Sequence, residues 1–500
     1  SLVIGSRLSM YLLLFWEFTE KKRRIPVAIY GADKIGRQLA TLWRDIDSDY
    51  RPLFFIDERQ ENQSQEVGGL RVYPLQALAR QLKKHRVRDI FVVPSSVSTD
   101  ARVEILNKLS SYPIKVRVLP ATTGHDLRVE DIQPVRIEDL LEREKVPPNQ
   151  TLLERDIKGN NILVTGAGGS IGSQLCKQIL PLQPAKLFVV EQSEYALFRV
   201  MNELTNMHKS ARTKIISFLE SATNERFIDN LLADNKIDVI YHVAAYKHVS
   251  LVEENMISGV ANNVFSTQVV AESALRHNVG CFVLISTDKA VQPISVMGAS
   301  KRLAEMIVQA LAAQSDKTRL CTVRFGNVMG TSGSVIPLFQ EQINKRKAIY
   351  VTDPQAERYF MTVEEAAQLI IQAGAMGDKG EIFLLDMGGA INILEMAKKM
   401  IHLSGLEIKE NGKGDIEIIQ SGLRPGEKLK EQLYSGSQIY PTQHPKITRT
   451  TESVEDWQRL SDKLSELAEH IQRRDAAKIE KSIRGMVTSY RINTDEGRND

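Results

Sequence analysis

One segment of this 500-residue chain restricts its fold more than any other: an apolar run followed by three evenly spaced glycines. Residues 161–165 (NILVT) are typical of a buried strand, and an apolar helix is predicted over 173–180. In such a turn the backbone can approach a diphosphate, and the N–H groups of the helix amino terminus can bind it. The segment predicts a parallel α/β sheet with a dinucleotide site. The residues that we expect to line this site are Gly166, Gly168, Gly169, Ser170, Ile171 and Gly172.

Two further strand ends are expected beside this turn. The strand over 186–190 ends at Glu191, and an acid there accepts hydrogen bonds from the adenosine ribose and repels a 2′-phosphate, which favours NAD over NADP. The competing interpretation is a surface glutamate. The strand over 237–243 leads into Ala244 and Ala245, which are small enough for the chain to pass close to the cofactor. Lys247 and His248 follow, and their place after a strand end favours substrate binding over a plain surface position.

An acid and two amines follow the apolar run over 281–285. Thr287, Asp288 and Lys289 come directly after this predicted strand, and Lys301 lies at the start of a predicted helix over 299–314. Ligands of open α/β sheets bind beyond the carboxyl ends of the strands, so we expect these groups to meet a cofactor and a substrate. The competing interpretation of Asp288 and Lys289 is a surface ion pair.

Length, charge and cysteine content narrow the class of protein. A chain of 500 residues predicts two or three domains, and a formal charge of +3 gives no reason to expect nucleic acid as a partner. The three cysteines, Cys176, Cys281 and Cys321, have neither disulfide nor metal-site spacing. We therefore expect a reducing compartment and no metal cofactor.

Residues 1–24 are apolar at first and basic at their end. The apolar part, interrupted by Arg7 and Glu17, is shorter than the roughly 20 residues that a membrane span needs. The basic run over 20–24 would mark the cytoplasmic side of a truncated membrane helix. Two alternatives stay open, an interfacial helix and a helix packed on a soluble domain.

Residues 25–145 form a predicted small α/β domain of their own. A strand over 26–30 leads into Gly31 and a Rossmann-like turn that ends at Gly36, and a second strand ends at Asp57. Asp33 stands where the turn would approach a pyrophosphate, and an acid repels phosphate. A structural or regulatory role is therefore favoured over nucleotide binding.

Residues from about 155 to 450 resemble the extended short-chain dehydrogenases that act on nucleotide sugars. More narrowly, they are similar to the polysaccharide-biosynthesis group of UDP-N-acetylglucosamine 4,6-dehydratases. The segments that carry the resemblance are 241–249 (YHVAAYKHV), 286–290 (STDKA), 324–328 (RFGNV), 333–337 (GSVIP), 358–362 (RYFMT) and 422–428 (GLRPGEK). Ser250 stands where the group usually has Pro. Large members of the group also carry membrane helices and an additional Rossmann-like domain before the catalytic one.

The resemblance implies a division of roles among the residues after strand 281–285. Asp288 would be the acid for the hydroxyl that leaves carbon 6, and Lys289 the base for carbon 5. Both roles need neutral forms, which burial favours and mutual ion pairing opposes. Most relatives have Tyr at position 297, where it acts on the carbon 4 hydroxyl, whereas this chain has Met. Lys301 would bind the nicotinamide ribose, and Thr287 would contact the sugar.

The resemblance also implies substrate contacts and an interface. Asn327 would contact the substrate diphosphate, Arg358 and Arg424 the UDP phosphates or ribose, and Glu427 the ribose or the arginines. Each charged residue could instead form a structural ion pair. In the family, helices corresponding to 263–275 and 299–314 form a dimer interface, although in this chain that face could equally be core.

Together these features predict two tandem α/β, Rossmann-like, doubly wound parallel-sheet domains, divided as 25–145 and 146–500, the second with a smaller C-terminal substrate lobe. The predicted function is NAD-dependent dehydration of UDP-N-acetylglucosamine to a UDP-4-keto-6-deoxy sugar for bacterial glycan synthesis. The expected setting is a homodimer or larger homo-oligomer at the cytoplasmic face of the inner membrane. The alternatives are a nucleotide-sugar epimerase and, because Met297 replaces Tyr, a non-catalytic sensor of NAD or nucleotide sugar.

Overall fold

A computed structural model describes residues 24–45, 48–93, 99–119, 133–135, 139, 146–207, 213–331, 333–436, 438–453 and 455–491. The chain divides into two compact units. The first comprises the described residues up to 139 together with 339–349 and 396–419, and the second comprises the rest. The predicted domain boundary near 145 thus coincides with one division, while two later segments belong to the first unit.

The secondary structure alternates between strands and helices through most of the chain. The strands are Ile25–Tyr30 (β1), Tyr50–Ile56 (β2), Glu66–Val67 (β3), Leu70–Tyr73 (β4), Asp89–Val92 (β5), Lys115–Val118 (β6), Gln133–Pro134 (β7), Asn161–Thr165 (β8), Lys186–Glu191 (β9), Lys214–Leu219 (β10), Val239–His242 (β11), Cys281–Ile285 (β12), Arg319–Arg324 (β13), Asn327–Val328 (β14), Ile349–Val351 (β15), Glu357–Arg358 (β16), Phe360–Met361 (β17), Lys379–Leu385 (β18), Ile391–Asn392 (β19), Ile418–Gln420 (β20), Ile439–Pro441 (β21) and Ile447–Thr450 (β22). The α-helices are Lys34–Asp45 (α1), Leu78–His85 (α2), Thr99–Leu109 (α3), Gln150–Arg155 (α4), Ser170–Ile179 (α5), Glu194–Met207 (α6), Glu225–Asp234 (α7), Val249–Glu254 (α8), Met256–Arg276 (α9), Val296–Ala312 (α10), Val335–Asn344 (α11), Val363–Met376 (α12), Ile393–Leu403 (α13), Trp457–Gln472 (α14) and Ala476–Met486 (α15).

The first unit is built on a sheet in the order β3-β4-β2-β1-β5-β6-β7, parallel except at its two edges. Its first turn keeps the close packing of a Rossmann unit, because a Cβ on Gly36 would lie 2.0 Å from the carbonyl oxygen of Gly31. Asp33 Oδ1 accepts a hydrogen bond from the Gly36 N–H, and Asp57 accepts bonds from the Ala32 N–H and the Arg59 side chain. The carboxylates of Asp33 and Asp57 thus accept hydrogen bonds from groups of the same unit.

The C-terminal segments of the first unit are held to its α/β core by polar contacts. His402 Nδ1 lies 2.8 Å from the Ser110 carbonyl oxygen, and Lys399 Nζ donates to Asn107 Oδ1 at 2.7 Å. Leu403 belongs to the same hydrophobic cluster as β1 and β5. These contacts explain why part of α13 belongs to this unit although it lies far along the chain.

The second unit is built on a sheet in the order β10-β9-β8-β11-β12-β13-β18-β22-β21. Its strands run parallel from β10 to β18, whereas β22 and β21 pair antiparallel at the edge. The chain order reverses between β8 and β11, which is where open α/β sheets bind ligands. The predicted fold class, an α/β protein with Rossmann-like parallel sheets, is confirmed.

Alternate strand residues face two cores on opposite sides of this sheet. Leu163 and Phe282 belong to one cluster and Val164 and Val283 to the other, as the period-two geometry of a strand requires. Helices cover both faces, so the strands are apolar almost throughout. This burial fixes the position along the sheet at which each strand ends, and therefore where the side chains at the strand end lie.

Helices α14 and α15 pack on the second unit. The sequence of residues 452–490 predicts polar helices with a charged tail and a solvated face. In the structure, however, Leu460, Leu464, Leu467 and Ile483 are fully buried in the same cluster as α9 and α10. That prediction was wrong because both helices are amphipathic and one face of each is core. Every described side chain of α10 except that of Arg302 is buried, so α10 is core in this chain. Several side chains of α9 are only half-buried, and the predicted interface stays a prediction.

Among the described residues, no helix combines the length and the apolar character that a membrane span requires. The predicted membrane-proximal segment, 1–24, lies outside the described residues except for Arg24.

Candidate functional site

The glycine turn after β8 is held against the loop after β11. Gly166 has a φ of +64°, and a Cβ there would lie 2.6 Å from the backbone nitrogen of Ala244. A Cβ on Gly172 would lie 2.2 Å from the carbonyl oxygen of Gly166. Only glycine lets the turn, helix α5 and the Ala244 loop come this close. Ala244 therefore lies beside the turn, and the closeness of Ala244 and Ala245 to a bound cofactor stays a prediction.

Helix α5 presents an amino terminus to the end of the sheet. It begins at Ser170 with Gly169 as its N-cap, and no side chain of the described residues caps it. The first N–H groups of a helix have no partner within the helix, so those of Ser170, Ile171 and Gly172 are suited to bind phosphate oxygens. The cradle thus fits the diphosphate of a dinucleotide.

Glu191 is buried at the end of β9, with only 9% of its surface exposed. Its carboxylate accepts hydrogen bonds from the N–H groups of Gly168 at 2.9 Å and Ser193 at 3.0 Å. The competing interpretation of a surface glutamate is therefore wrong. The carboxylate keeps further lone pairs, so it can still accept bonds from ribose hydroxyls.

The loop after β11 is positioned by a buried amide on α9. Asn263 accepts a hydrogen bond from the Tyr246 N–H at 2.7 Å and donates to the Tyr246 carbonyl at 3.0 Å. Beyond it, Lys247 and His248 are exposed, and a Cβ on Gly333 would lie 2.4 Å from the His248 ring. Their part in substrate binding stays a prediction.

Thr287 and Asp288 form a hydrogen-bonded pair at the end of β12. The N–H of Asp288 donates to the carbonyl of Phe325, which fixes the loop against the end of β13. Thr287 Oγ1 donates to Asp288 Oδ1 at 2.8 Å. The Asp288 side chain is fully buried, and its Oδ2 has no hydrogen-bond partner in the described part of the chain. The interpretation as a surface ion pair is wrong, because an exposed pair would be solvated.

The ammonium group of Lys289 is surrounded by oxygen atoms. Its Nζ lies 2.9 Å from Asp288 Oδ1, 3.2 Å from Asn327 Oδ1 and 3.6 Å from Glu431 Oε1. Burial alone would lower the pKa of Lys289, but the carboxylates of Asp288 and Glu431 outweigh it and raise the pKa above its usual value. Ion pairing thus prevails over burial at this residue, and Lys289 is protonated at neutral pH.

Lys301 and Met297 lie on the first two turns of α10, the helix that follows the loop of Asp288 and Lys289. Lys301 Nζ donates to the carbonyl of Ile285 at 2.7 Å, and burial lowers the pKa of Lys301 to about 8 although Glu305 opposes this. Its remaining N–H donors are suited to ribose hydroxyls. Met297 is buried in the hydrophobic cluster of α9 and α10 and has no group that could carry a proton.

The charged residues predicted to bind UDP have different surroundings. Arg358 is buried, and it donates to Glu427 Oε1 at 2.9 Å and to the carbonyls of Glu357 and Leu429. Arg358 and Glu427 thus form the structural ion pair that the sequence left open. Arg424 is exposed, and its guanidinium has no partner in the described part of the chain, so it is the better candidate for a phosphate.

Two features of this region were missed from the sequence. The first is Glu431, which lies beside Lys289 although the two are far apart along the chain. The second is the buried pair of Glu305 and Arg324, which holds Ser286 through a 2.6 Å hydrogen bond to Glu305. The available signal for Glu305 was its place one helical turn after Lys301, and for Glu431 its place just after the 422–428 motif.

We expect Gly166→Ala to weaken dinucleotide binding. The new Cβ would collide with the Ala244 backbone at a φ unfavourable for alanine, so the turn must move and its affinity for NAD should fall by about tenfold or more. Calorimetric titration with NAD measures this. Gly485→Ala is the matched control, since nothing lies within 4 Å of the added Cβ. Equal NAD affinity in the two variants would contradict the assignment of the turn.

Comparisons with known proteins identify a family that matches most of the second unit. The model of a family described as polysaccharide biosynthesis protein matches residues 162–452. A capsular polysaccharide biosynthesis protein, CapD, from Staphylococcus aureus is 37% identical over 90% of this chain and 75% of its own length. A UDP-glucose 4-epimerase from Rickettsia bellii is 32% identical over 56% of this chain and 78% of its own. The crystal structure of Pen from Bacillus thuringiensis has a TM-score of 0.54 at 33% identity, covering 60% of this chain and 92% of that one.

Proposed function

Since the chain belongs to the polysaccharide biosynthesis protein family, we propose that it is a lyase that catalyses the NAD-dependent 4,6-dehydration of UDP-N-acetylglucosamine. The product would be a UDP-4-keto-6-deoxy sugar. The observation that supports this most is the buried cluster of Thr287, Asp288 and Lys289 at the end of β12. Elimination of water needs both an acid and a base beside the sugar, and this cluster contains them.

The dinucleotide cradle supports NAD as the cofactor. Gly166, Gly172 and the amino terminus of α5 would hold its diphosphate, while Glu191 and Lys301 would hold its two riboses. When bound, NAD supplies the hydride acceptor for carbon 4 and the hydride donor for carbon 6. All other steps fall to side chains of this chain.

The Thr287–Asp288 pair supplies the proton acceptor that Met297 cannot. Thr287 is too weak a base alone, but its hydroxyl already donates to Asp288 at 2.8 Å. Thr287 can therefore take the proton of the carbon 4 hydroxyl as it passes its own proton to Asp288. This leaves Asp288 protonated as the carbon 4 ketone forms.

Asp288 and Lys289 then complete the reaction with a closed proton balance. The ketone acidifies the proton on carbon 5, which Lys289 takes in its neutral form, so the ammonium group of the free site must first give up its own proton. Protonated Asp288 gives its proton to the carbon 6 hydroxyl, which leaves as water. Lys289 returns its proton to carbon 5 when hydride reaches carbon 6. Each side chain ends in the protonation state in which it began.

The name of the Rickettsia relative makes 4-epimerisation the second candidate. An epimerase oxidises carbon 4 and reduces the same carbon again, so it breaks no bond at carbon 5 or 6. It has no use for an amine paired with a buried acid at the substrate. The Asp288–Lys289 pair thus favours dehydration.

The proposal is tested by incubating the protein with UDP-N-acetylglucosamine, and in parallel UDP-glucose, without added reductant. We expect a product of UDP-N-acetylglucosamine that is lighter by one water, measured by mass spectrometry. An isomer of equal mass would instead indicate epimerisation. Binding without turnover would indicate the sensor.

We further propose that this enzyme supplies bacterial glycan synthesis from the cytoplasmic face of the inner membrane, attached through residues 1–24, as a homo-oligomer. These parts of the proposal rest on the sequence resemblance, since residues 1–23 lie outside the described structure.

A further inference from the structure

Glu431 is a buried carboxylate that the reaction above does not use. It is 5% exposed and lies between two lysines, with Oε1 3.6 Å from Lys289 Nζ and Oε2 3.8 Å from Lys428 Nζ. These distances are too long for good hydrogen bonds. Its Oε2 is buried without a hydrogen-bond partner among the described residues. The two long contacts and the unpaired oxygen leave Glu431 without a hydrogen bond that would account for its burial.

The reaction requires a neutral Lys289, whereas the free site holds it protonated. The charged groups around its amine are Asp288, Glu431, Arg358 and Lys428. The proton cannot go to Arg358, and Asp288 is occupied by the proton from the carbon 4 hydroxyl. Glu431 is the one remaining carboxylate among these four groups.

We propose that Glu431 is a positioning residue that accepts the ammonium proton of Lys289 once Asp288 has been protonated. The inference rests on the proposed function. In this step an N–H bond of Lys289 breaks and an O–H bond forms on Glu431, and the transfer reverses after product formation. No proton enters or leaves the site.

The order of the two proton transfers follows from the position of the Lys289 ammonium group between two carboxylates. In the free site, two carboxylates stabilise the charge on Lys289. Protonation of Asp288 removes the nearer negative charge, and the low polarity of the site then disfavours the remaining buried ion pair. The base for carbon 5 is thereby released only after carbon 4 has been oxidised, which keeps the two steps in order.

The test compares Glu431→Gln, Glu431→Asp and Lys428→Met with the wild type. In wild type the proton stays within the site, so kcat should be flat between about pH 6 and pH 8. In Glu431→Gln the proton of Lys289 must pass to solvent, so kcat should fall by about 100-fold at pH 7 and rise with pH. Glu431→Asp should restore most of the flat profile. A loss that is independent of pH in Glu431→Gln would overturn the proposal.

A second readout does not need turnover. The reactivity of the Lys289 amine toward acetic anhydride is measured against pH in ligand-free protein, by mass spectrometry of its peptide. Loss of the Glu431 charge should lower the midpoint by about 1 to 2 pH units, and loss of the Lys428 charge should raise it. General misfolding would move both midpoints in the same direction. Unchanged midpoints would overturn the proposal, whereas shifted midpoints in a protein that never dehydrates would place the failure in the proposed function.

Discussion

Replacing Asp288 with asparagine should reduce dehydration by about 10⁴-fold, the upper end of what general acid–base catalysis contributes. In the proposed reaction the carboxylate is used twice, first to take the carbon 4 proton through Thr287 and then to release the carbon 6 hydroxyl. Asparagine keeps the shape and can hydrogen-bond Thr287, but it can carry no proton. Affinity for NAD and for UDP should change little, because neither contact runs through this side chain. Single-turnover kinetics and calorimetric titration measure the two quantities.

Asp316→Asn is the matched control for this change. Asp316 is exposed in the loop between α10 and β13, so its substitution should leave turnover and ligand affinity at wild-type values. Dehydration by Asp288→Asn within tenfold of wild type would refute the role of Asp288. A parallel loss of NAD affinity would show instead that the substitution had disturbed the fold of the site.

Replacing Arg324 with methionine should lower the free energy of unfolding of the second unit by about 3 to 5 kcal/mol. Arg324 is fully buried and donates to both oxygens of Glu305, at 3.0 and 2.6 Å, and to Glu452 at 3.0 Å. Burial alone would raise the pKa of Glu305, but Arg324, together with Arg302 and Ser286, outweighs it and holds that pKa below its usual value. Without Arg324 the carboxylate loses its main partner in the interior. Denaturant unfolding followed by intrinsic fluorescence measures the loss.

The sign of the pH dependence gives this prediction a second check. A carboxyl whose pKa is lowered in the folded state stabilises the protein above its unfolded pKa, and that contribution disappears as pH falls. The stability difference between wild type and Arg324→Met should therefore shrink in acid. Arg276→Met is the control, since its ion pairs are exposed and contribute little to stability. Equal losses in the two variants would contradict the account of the buried pair.

Those parts of the fold that depend on residues close together in the sequence were predictable. The turn with Gly166 and the strand ends at Glu191 and Thr287 follow from local patterns of apolar residues and glycines. The strand order then brings these ends to one edge of the sheet. The cluster of Thr287, Asp288 and Lys289 was therefore placed at the end of β12 from the sequence, without knowledge of any distance.

Features that depend on long-range packing were not predictable. Glu431 contacts Lys289 only because the segment after residue 420 returns to the end of β12. The protonation state of Lys289 depends on which of two opposing effects is larger, and that requires the distances to both carboxylates. The apolar faces of α14 and α15 were overlooked because their polar residues are more numerous than their buried leucines and isoleucines.

One measurement tests the central claim most directly: the incubation with UDP-N-acetylglucosamine repeated with deuterium on carbon 4 of the hexose. In the proposed reaction the hydride removed from carbon 4 is returned to carbon 6 in the same site. We therefore predict that nuclear magnetic resonance will find the deuterium on carbon 6 of a 4-keto-6-deoxy product. Deuterium that stays on carbon 4 of an isomerised sugar would contradict dehydration and establish 4-epimerisation instead.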